Sequence, residues 1–302
     1  ACTFLVISCP CALVISIPLS FFAGIGGLSS RGILVKGANV IDDLAKVKQV
    51  IMDKTGTLTS GKFAVEEVLS AVDKEQLIKD AAYAEHFSNH PIAQGIKEAW
   101  QAEIHDEEVT DVQEIAGRGL SVQVNGKEIL AGNYKLMNEK GIQCKEETST
   151  GTLVYVAKNG VYEGCLVLRD QLKADAKEAV DTLHKEGKKC IIVSGDNQEI
   201  TSSIGSQLGV DQAIGGCMPE DKVNTVKKYM EEGMTAFVGD GVNDAPVITL
   251  VNVGIAMGAL GSDAAIEAAD VVLMDDSVSK ISLAIAASKR ILFVANENIY
   301  GA

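Results

Sequence analysis

Asp53-Lys54-Thr55-Gly56-Thr57-Leu58-Thr59 follows directly on Gln49-Val50-Ile51-Met52, and that junction decides the fold. Gln49–Asp53 reads as a buried strand ending in a carboxylate, and small, flexible residues come next. A carboxylate at a strand tip can act as a nucleophile on phosphorus, giving an aspartyl phosphate. The backbone amides and hydroxyls of the following loop can bind phosphoryl oxygens.

Working outward, Gly32–Gly37 is a short apolar stretch with glycine at each end, and Val40, Ile41, Leu44 and Val47 recur at helical spacing. From Leu166 on, helix and strand alternate. Ala174–Lys185, Gln198–Leu208 and Glu220–Glu231 are predicted helices. Lys189–Val193, Thr235–Val238, Val253–Met257 and Val271–Met274 are predicted strands. Such alternation predicts an α/β fold with a doubly wound parallel sheet. In that fold the site lies at the carboxyl ends of the strands. Asp53, Ser194 and Asp240 each end a strand and are expected to converge.

Residues 63–166 have a different texture and are predicted to be an inserted α+β domain. Two helical stretches, Glu75–Glu85 and Pro91–Glu103, flank a His-Pro turn. Hairpins are expected at Asn125-Gly126 and Asn159-Gly160. The expected organisation is a transmembrane helix over 1–35, a first domain split into 36–62 and 167–285, the insert over 63–166, and the start of another transmembrane helix over 286–302.

Composition narrows the function. The net charge is −14 with no basic stripe, which argues against nucleic acid as a partner. Seven cysteines are scattered along the chain and do not form a disulfide framework. Cys144, Cys165, Cys190 and Cys217 are expected to be small buried thiols. His86, His105 and His184 show no partner pattern, and Trp100 reads as core. The first 30 residues contain no Asp, Glu, Lys or Arg, enough uncharged chain to cross a bilayer. The chain also starts without Met inside an apolar run, so a fragment of a longer polypeptide is expected. Ile291–Asn296 is expected to be the foot of another membrane helix.

A second cluster, Gly239-Asp240-Gly241-Val242-Asn243-Asp244-Ala245-Pro246, supplies two carboxylates suited to Mg²⁺, a hard ion that takes oxygen ligands and bridges to phosphate. Ser194 offers a hydroxyl donor and Lys222 a cation to balance phosphate charge. Together with the Asp53–Thr59 segment, these stretches resemble the signatures of P-type ATPases in the haloacid dehalogenase superfamily. Ser194-Gly195-Asp196 stands where that family usually has Thr-Gly-Asp, and Pro219-Glu220-Asp221-Lys222 fits its Pro-x-x-Lys element.

The resemblance implies that Asp53 attacks the γ-phosphate of ATP. Asp53, Asp240, Asp244 and the backbone at Thr55 would hold Mg²⁺, with Lys222, Ser194 and Thr55 at the transferred group. Related phosphatases carry a second Asp at the position of Thr55, and without that base the aspartyl phosphate hydrolyses slowly. A pump needs the delay while its shape changes. The family's dephosphorylating Thr-Gly-Glu loop, carried on an actuator domain, does not occur in this chain, so a complete cycle is not expected from it alone.

Ser88-Asn89-His90-Pro91, with Glu85 five residues before the histidine, and Gly117-Arg118-Gly119 resemble the nucleotide-binding elements of the heavy-metal branch. They imply ATP contacts at Glu85, His90, Gly117 and Gly119, with Asp196 counted among the nucleotide contacts. Cys9-Pro10-Cys11 lies inside the uncharged run. Proline opens the backbone, and two thiolates beside it offer soft ligands. Polar features at membrane depth are tolerated where they line a pathway. Cys-Pro-Cys resembles the heavy-metal ATPase signature. Val14-Ile15-Ser16 replaces the Gly-Leu-Ala of many copper pumps and resembles the zinc/cadmium/lead group. The implied partners are ATP, a soft metal cation bound by Cys9 and Cys11, a lipid membrane, an actuator domain and further membrane helices, with the catalytic domains cytoplasmic. The rival readings are a copper pump, a soluble phosphatase of the same superfamily, and a non-catalytic metal sensor.

Overall fold

The computed structural model describes residues 11–241, 244–258 and 263–300. Its helices and strands run α1 (Cys11–Ser29), β1 (Ile33–Val35), α2 (Ala38–Lys46), β2 (Gln49–Asp53), β3 (Thr59–Ser70), α3 (Lys74–Ala84), α4 (Pro91–Trp100), β4 (Val109–Ile115), β5 (Gly119–Val124) and β6 (Lys127–Gly132). They continue through α5 (Tyr134–Glu139), β7 (Thr152–Lys158), β8 (Val161–Leu172), α6 (Ala176–Lys185), β9 (Lys189–Val193), α7 (Gln198–Leu208), β10 (Gln212–Ile214) and α8 (Pro219–Glu232). The last are β11 (Thr235–Gly239), α9 (Ala245–Leu250), β12 (Val253–Met257), α10 (Asp263–Ala268), β13 (Val271–Leu273) and α11 (Lys280–Tyr300). They form two compact units, one of residues up to Thr59 together with those from Leu172 on, the other Ser60–Gln171.

The first unit is built on a sheet of order β1-β13-β12-β11-β2-β9-β10. β13, β12, β11, β2, β9 and β10 pair in parallel, and β1 closes one edge antiparallel to β13. Its central strands are short, largely apolar runs because parallel strands are covered on both faces. Side chains alternate between those faces. Val50, Met52, Cys190, Ile192, Ala236 and Val238 face one core, which α2, α6 and α11 close with Ile41, Leu44, Val180, Leu183 and Ile285. Ile51, Ile191, Val193 and Phe237 face the other, which α8, α9 and α10 close with Val226, Tyr229, Ile248 and Ala265. Each large side chain buried this way contributes roughly 1.5–3 kcal/mol. The register matters for function. Met52 lies opposite Val238 and Asp53 opposite Val193, so β2, β9 and β11 end level with one another.

The second unit is an antiparallel sheet of order β3-β8-β7-β6-β5-β4. Leu77, Ala81, Ala84 and Ile96 of α3 and α4 pack on one face against Val122, Ile129, Val156 and Leu166. The β5–β6 and β7–β8 hairpins turn at Asn125-Gly126 and Asn159-Gly160, as expected from the sequence. All four turn residues have positive φ, between 48° and 76°, the conformation a two-residue hairpin requires.

Among the described residues no helix is long and apolar enough to cross a membrane. The helix expected over 1–35 is described as α1, from Cys11 to Ser29, and Cys9 lies outside the described residues. The segment from residue 286 belongs to α11, which starts earlier, packs on α1 and α2, and carries Lys289, Arg290 and Glu297. Those charges are too many for one apolar span.

One polar cluster sits inside the second unit. Asp80 of α3, 3% exposed, accepts from Lys158 Nζ at 2.7 and 2.8 Å and from Gln76 Nε2 at 2.8 Å. Glu163 of β8 is buried beside them, and its Oε2 has no hydrogen-bond partner among the described residues. Burial, then the Asp80 charge, pushes its carboxyl up to about 7, against the pull of Lys158. The folded chain thus holds a proton that the unfolded chain releases, and stability falls as pH rises toward 7. Glu163→Gln removes the second charge. It is expected to stabilise the protein by on the order of 1 kcal/mol above pH 7 and by less at pH 5. Thermal unfolding of both proteins across that range checks this, and an equal difference at both pH values would contradict it.

Candidate active site

The site grows from the level ends of β2, β9 and β11. Asp53 closes β2 and is 6% exposed. The chain then turns through Lys54–Leu58, with Gly56 at φ 71°. Thr59 Oγ1 accepts from the Gly56 N–H at 3.1 Å and donates to the Lys54 carbonyl at 3.3 Å, stapling the turn. Lys173 Nζ donates to the Gly56 carbonyl at 2.8 Å. A Cβ on Gly56 would lie 1.6 Å from Asp240 Oδ2, so only glycine lets the turn approach that carboxylate.

Lys222 comes from the first turn of α8. That helix opens with Pro219, and Asp221 caps it by accepting from the Met218 N–H at 3.0 Å. Lys222 Nζ stands 2.6 Å from Asp53 Oδ1 and 2.9 Å from Asp244 Oδ1. Carboxylate oxygens of Asp53, Asp240 and Asp244 all lie within 4.8 Å of one another. Burial pushes Asp53 up to about 6, with Asp244 adding to the rise and Lys222 opposing it. Burial and then Asp244 push Asp240 up to about 6 as well. Burial alone would lower Lys222, but Asp53 and Asp244 outweigh it and hold the ammonium charged. Three carboxylates facing one ammonium leave excess negative charge and an all-oxygen donor set, which fits a hard divalent cation such as Mg²⁺.

The structure brings Asp53, Lys222, Asp240 and Asp244 together as the sequence predicted. Ser194, 2% exposed, follows β9 and is held by its backbone to Ile214 at 2.9 Å and Cys217 at 3.0 Å. Thr55 is exposed on the turn. Asp196 lies in the first unit, where its carboxylate pairs with Lys54 Nζ at 2.5 Å and its N–H donates to Ser194 Oγ at 3.1 Å. Three site groups escape a reading of the sequence: Lys54, Lys173, and Thr57, whose buried Oγ1 has no partner among the described residues. Lys54 and Thr57 sit inside the decisive motif, where the acid draws attention away from them. Nothing local marks Lys173, which lies beyond the whole insert in the sequence.

Glu85, His90, Gly117 and Gly119 lie in the second unit. Glu85 directly follows α3 and is buried, and burial raises its carboxyl above the ordinary range. His90 caps α4, its Nδ1 accepting from the Ile92 N–H at 3.2 Å. Lys97 Nζ holds the intervening loop through the carbonyls of Ser88 at 2.9 Å and His86 at 3.3 Å. Asn133 Nδ2 donates to the Gly117 carbonyl at 3.0 Å. Glu114, three residues before Gly117, is close enough to Glu85 to raise it further. His86 and His184 pair at the surface with Asp106 at 2.6 Å and Asp211 at 3.0 Å. Cys165, Cys190 and Cys217 are buried thiols as expected, whereas Cys144 is half-buried. Cys11 opens α1.

Gly56→Ala meets two obstacles, a φ of 71° and the Asp240 carboxylate. Gly216, at φ 69° with nothing within 4 Å of its added Cβ, meets only the first. Gly216→Ala is expected to cost about 1 kcal/mol, and Gly56→Ala clearly more. Denaturant unfolding of both variants measures the difference; equal costs would mean the turn does not press on Asp240.

Residues 47–251 match the haloacid dehalogenase-like hydrolase family. The chain is 45% identical over 306 residues to the cadmium, zinc and cobalt-transporting ATPase of Bacillus subtilis (strain 168), covering 99% of this chain and 44% of that protein. It is 44% identical over 305 residues to the zinc-transporting ATPase of Synechocystis sp. (strain ATCC 27184 / PCC 6803 / Kazusa), covering 99% and 42%. It superposes on a crystal structure of a zinc-transporting PIB-type ATPase with a TM-score of 0.86 at 35% identity, over 98% of this chain and 50% of that one. The chain therefore spans less than half the length of these curated relatives. From the match over residues 47–251 and the acid cluster it contains, the chain belongs to the haloacid dehalogenase-like hydrolase family, and it resembles metal-transporting ATPases over almost its whole length.

Proposed function

We propose that this chain is the catalytic part of an ATP-driven pump for a divalent soft metal, Zn²⁺, Cd²⁺ or Pb²⁺, working through an aspartyl phosphate. The observation that carries the proposal is Asp53, a buried carboxylate at a central strand end, paired with Lys222 and crowded by Asp240 and Asp244. In the proposed step an Asp53 carboxylate oxygen bonds to the γ-phosphorus of ATP. The bond from that phosphorus to the bridging oxygen breaks, and ADP leaves. Lys222 neutralises charge on the transferred group, and Ser194 donates a hydrogen bond to it. Mg²⁺, held by Asp53, Asp240, Asp244 and the backbone at Thr55, would supply charge neutralisation on the phosphate oxygens. Thr55, which cannot act as a base, leaves the acyl phosphate long-lived.

Glu85, His90, Gly117 and Gly119 are proposed to bind the nucleotide, and Cys9 and Cys11 the transported ion. A divalent ion is favoured by Val14-Ile15-Ser16 beside Cys11 and by the transport named for the relatives. A membrane setting is favoured by the exposed apolar stripe Ile15, Leu19 and Phe22 on α1. The two units are placed on the cytoplasmic side. An actuator domain and further membrane helices would complete the cycle.

The test uses the full-length polypeptide in detergent with γ-labelled ATP and Mg²⁺, adding Zn²⁺, Cd²⁺, Pb²⁺ or Cu⁺ singly. Acid-stable, hydroxylamine-sensitive label is expected with the divalent metals. It should fall to background in Asp53→Asn and lose its metal dependence in Cys9→Ala/Cys11→Ala. Label stimulated by Cu⁺ alone would overturn the metal, and no label under any metal would overturn the pump.

A further inference from the structure

Lys173-Ala174-Asp175 is a three-residue segment with a hydrogen-bonded clamp at each end. At one end Lys173 grips the turn that follows Asp53. Its N–H donates to the Leu58 carbonyl at 2.9 Å, and its Nζ donates to the Gly56 carbonyl at 2.8 Å. At the other end Asp175 immediately precedes α6. An aspartate there ordinarily caps its own helix, but the Asp175 side chain makes no such bond. Its Oδ2 accepts instead from Ser277 Oγ at 2.6 Å and from the Ser279 N–H at 2.9 Å, just before α11 begins at Lys280. Burial works to raise this carboxyl, yet the bonds from Ser277 and Ser279 outweigh it and hold Asp175 below the ordinary carboxylate range. The carboxylate is therefore charged, and both of its bonds are charge-assisted.

The two clamps are close together and stiffly joined. The Ala176 N–H closes a turn on the Lys173 carbonyl at 3.0 Å, and two residues of backbone span at most about 7 Å. Val278, between the two serines, is fully buried, and Ile281 and Ile285 fix the start of α11 in the core under the sheet. Farther along, α11 lies directly on α1. Ile291 packs on Gly24 with no room for a Cβ, and Asn298 Nδ2 donates to Ser20 Oγ at 3.0 Å. A displacement of the turn after Asp53 thus has a short, hydrogen-bonded route to the helix that opens at Cys11.

We propose that Asp175 is a positioning residue that couples the turn after Asp53 to α11, and through α11 to α1. The proposal rests on the pump reading above and deepens it, by naming the side chain that joins the phosphorylated end to the metal-binding helix. Two sites joined in this way change each other's affinity by the same factor. Removing the joint leaves each site able to bind and brings that factor toward one.

The test is Zn²⁺ titration of the full-length polypeptide in detergent with Mg²⁺, with and without beryllium fluoride, which mimics an acyl phosphate on a carboxylate. The parent is expected to show two different Zn²⁺ affinities. In Asp175→Ala their ratio is expected to fall about five-fold or more, with Zn²⁺ and beryllium fluoride each still bound. Ser277→Ala removes one of the two bonds and keeps the carboxylate, so its ratio is expected to fall in the same direction by less. That variant decides the matter should Asp175→Ala bind neither ligand. The parent's ratio retained in the variants that bind would overturn the coupling role and leave the pump reading standing. A parent with one Zn²⁺ affinity under both conditions would overturn the pump reading, and the coupling role with it.

Discussion

The ammonium of Lys222 lies between two carboxylates that would otherwise repel each other and a third close by. Its contacts to Asp53 and Asp244, at 2.6 and 2.9 Å, let a cluster of acids exist in a mostly buried place. Without a cation there, burial and mutual repulsion would favour protonating the acids, and a protonated Asp53 is not a nucleophile. The sheet depends on the same point from the other direction. Parallel strands covered on both faces by apolar side chains leave only their ends for polar chemistry, and the register of β2, β9 and β11 makes those ends level. The cluster is thus the joint result of an apolar sheet that expels charge to its rim and one lysine that makes the crowded rim tolerable.

Around that pair the structure adds geometry more than charge. Gly56 lets the turn after Asp53 run against Asp240, where any side chain would collide. Lys54 reaches across to Asp196 and Lys173 to the Gly56 carbonyl, so the turn after Asp53 is tied to two other segments of the same unit. A nucleophile that is to meet phosphorus along a defined line benefits from such bracing, because positioning carries much of phosphoryl-transfer catalysis.

Much of this was legible in the sequence because the signals were local. Apolar runs ending in Asp53, Ser194 and Asp240 gave the strands and the site edge. Asn-Gly pairs gave the hairpins, since few other residues tolerate positive φ. The acid cluster and Lys222 could be named from the residues around them. Long-range contacts were not legible. Asp196 is 142 residues from its partner Lys54, a separation no spacing rule spans. The antiparallel pairing of β1 with β13 depends on which edge of the sheet is free, and three-residue strands carry almost no periodicity. The helix expected to begin near residue 286 begins at Lys280, because Ile281 and Ile285 cover the sheet before the chain leaves it.

In the proposed function the Asp53 carboxylate itself accepts the phosphoryl group. Borohydride reduction of the ATP-treated protein, followed by peptide mass spectrometry, tests it most directly, because an acyl phosphate on aspartate is reduced to homoserine. Homoserine is expected at position 53, dependent on ATP and absent when ATP is omitted. Homoserine at another aspartate, or an unmodified Asp53 in protein that carries phosphate elsewhere, would contradict it.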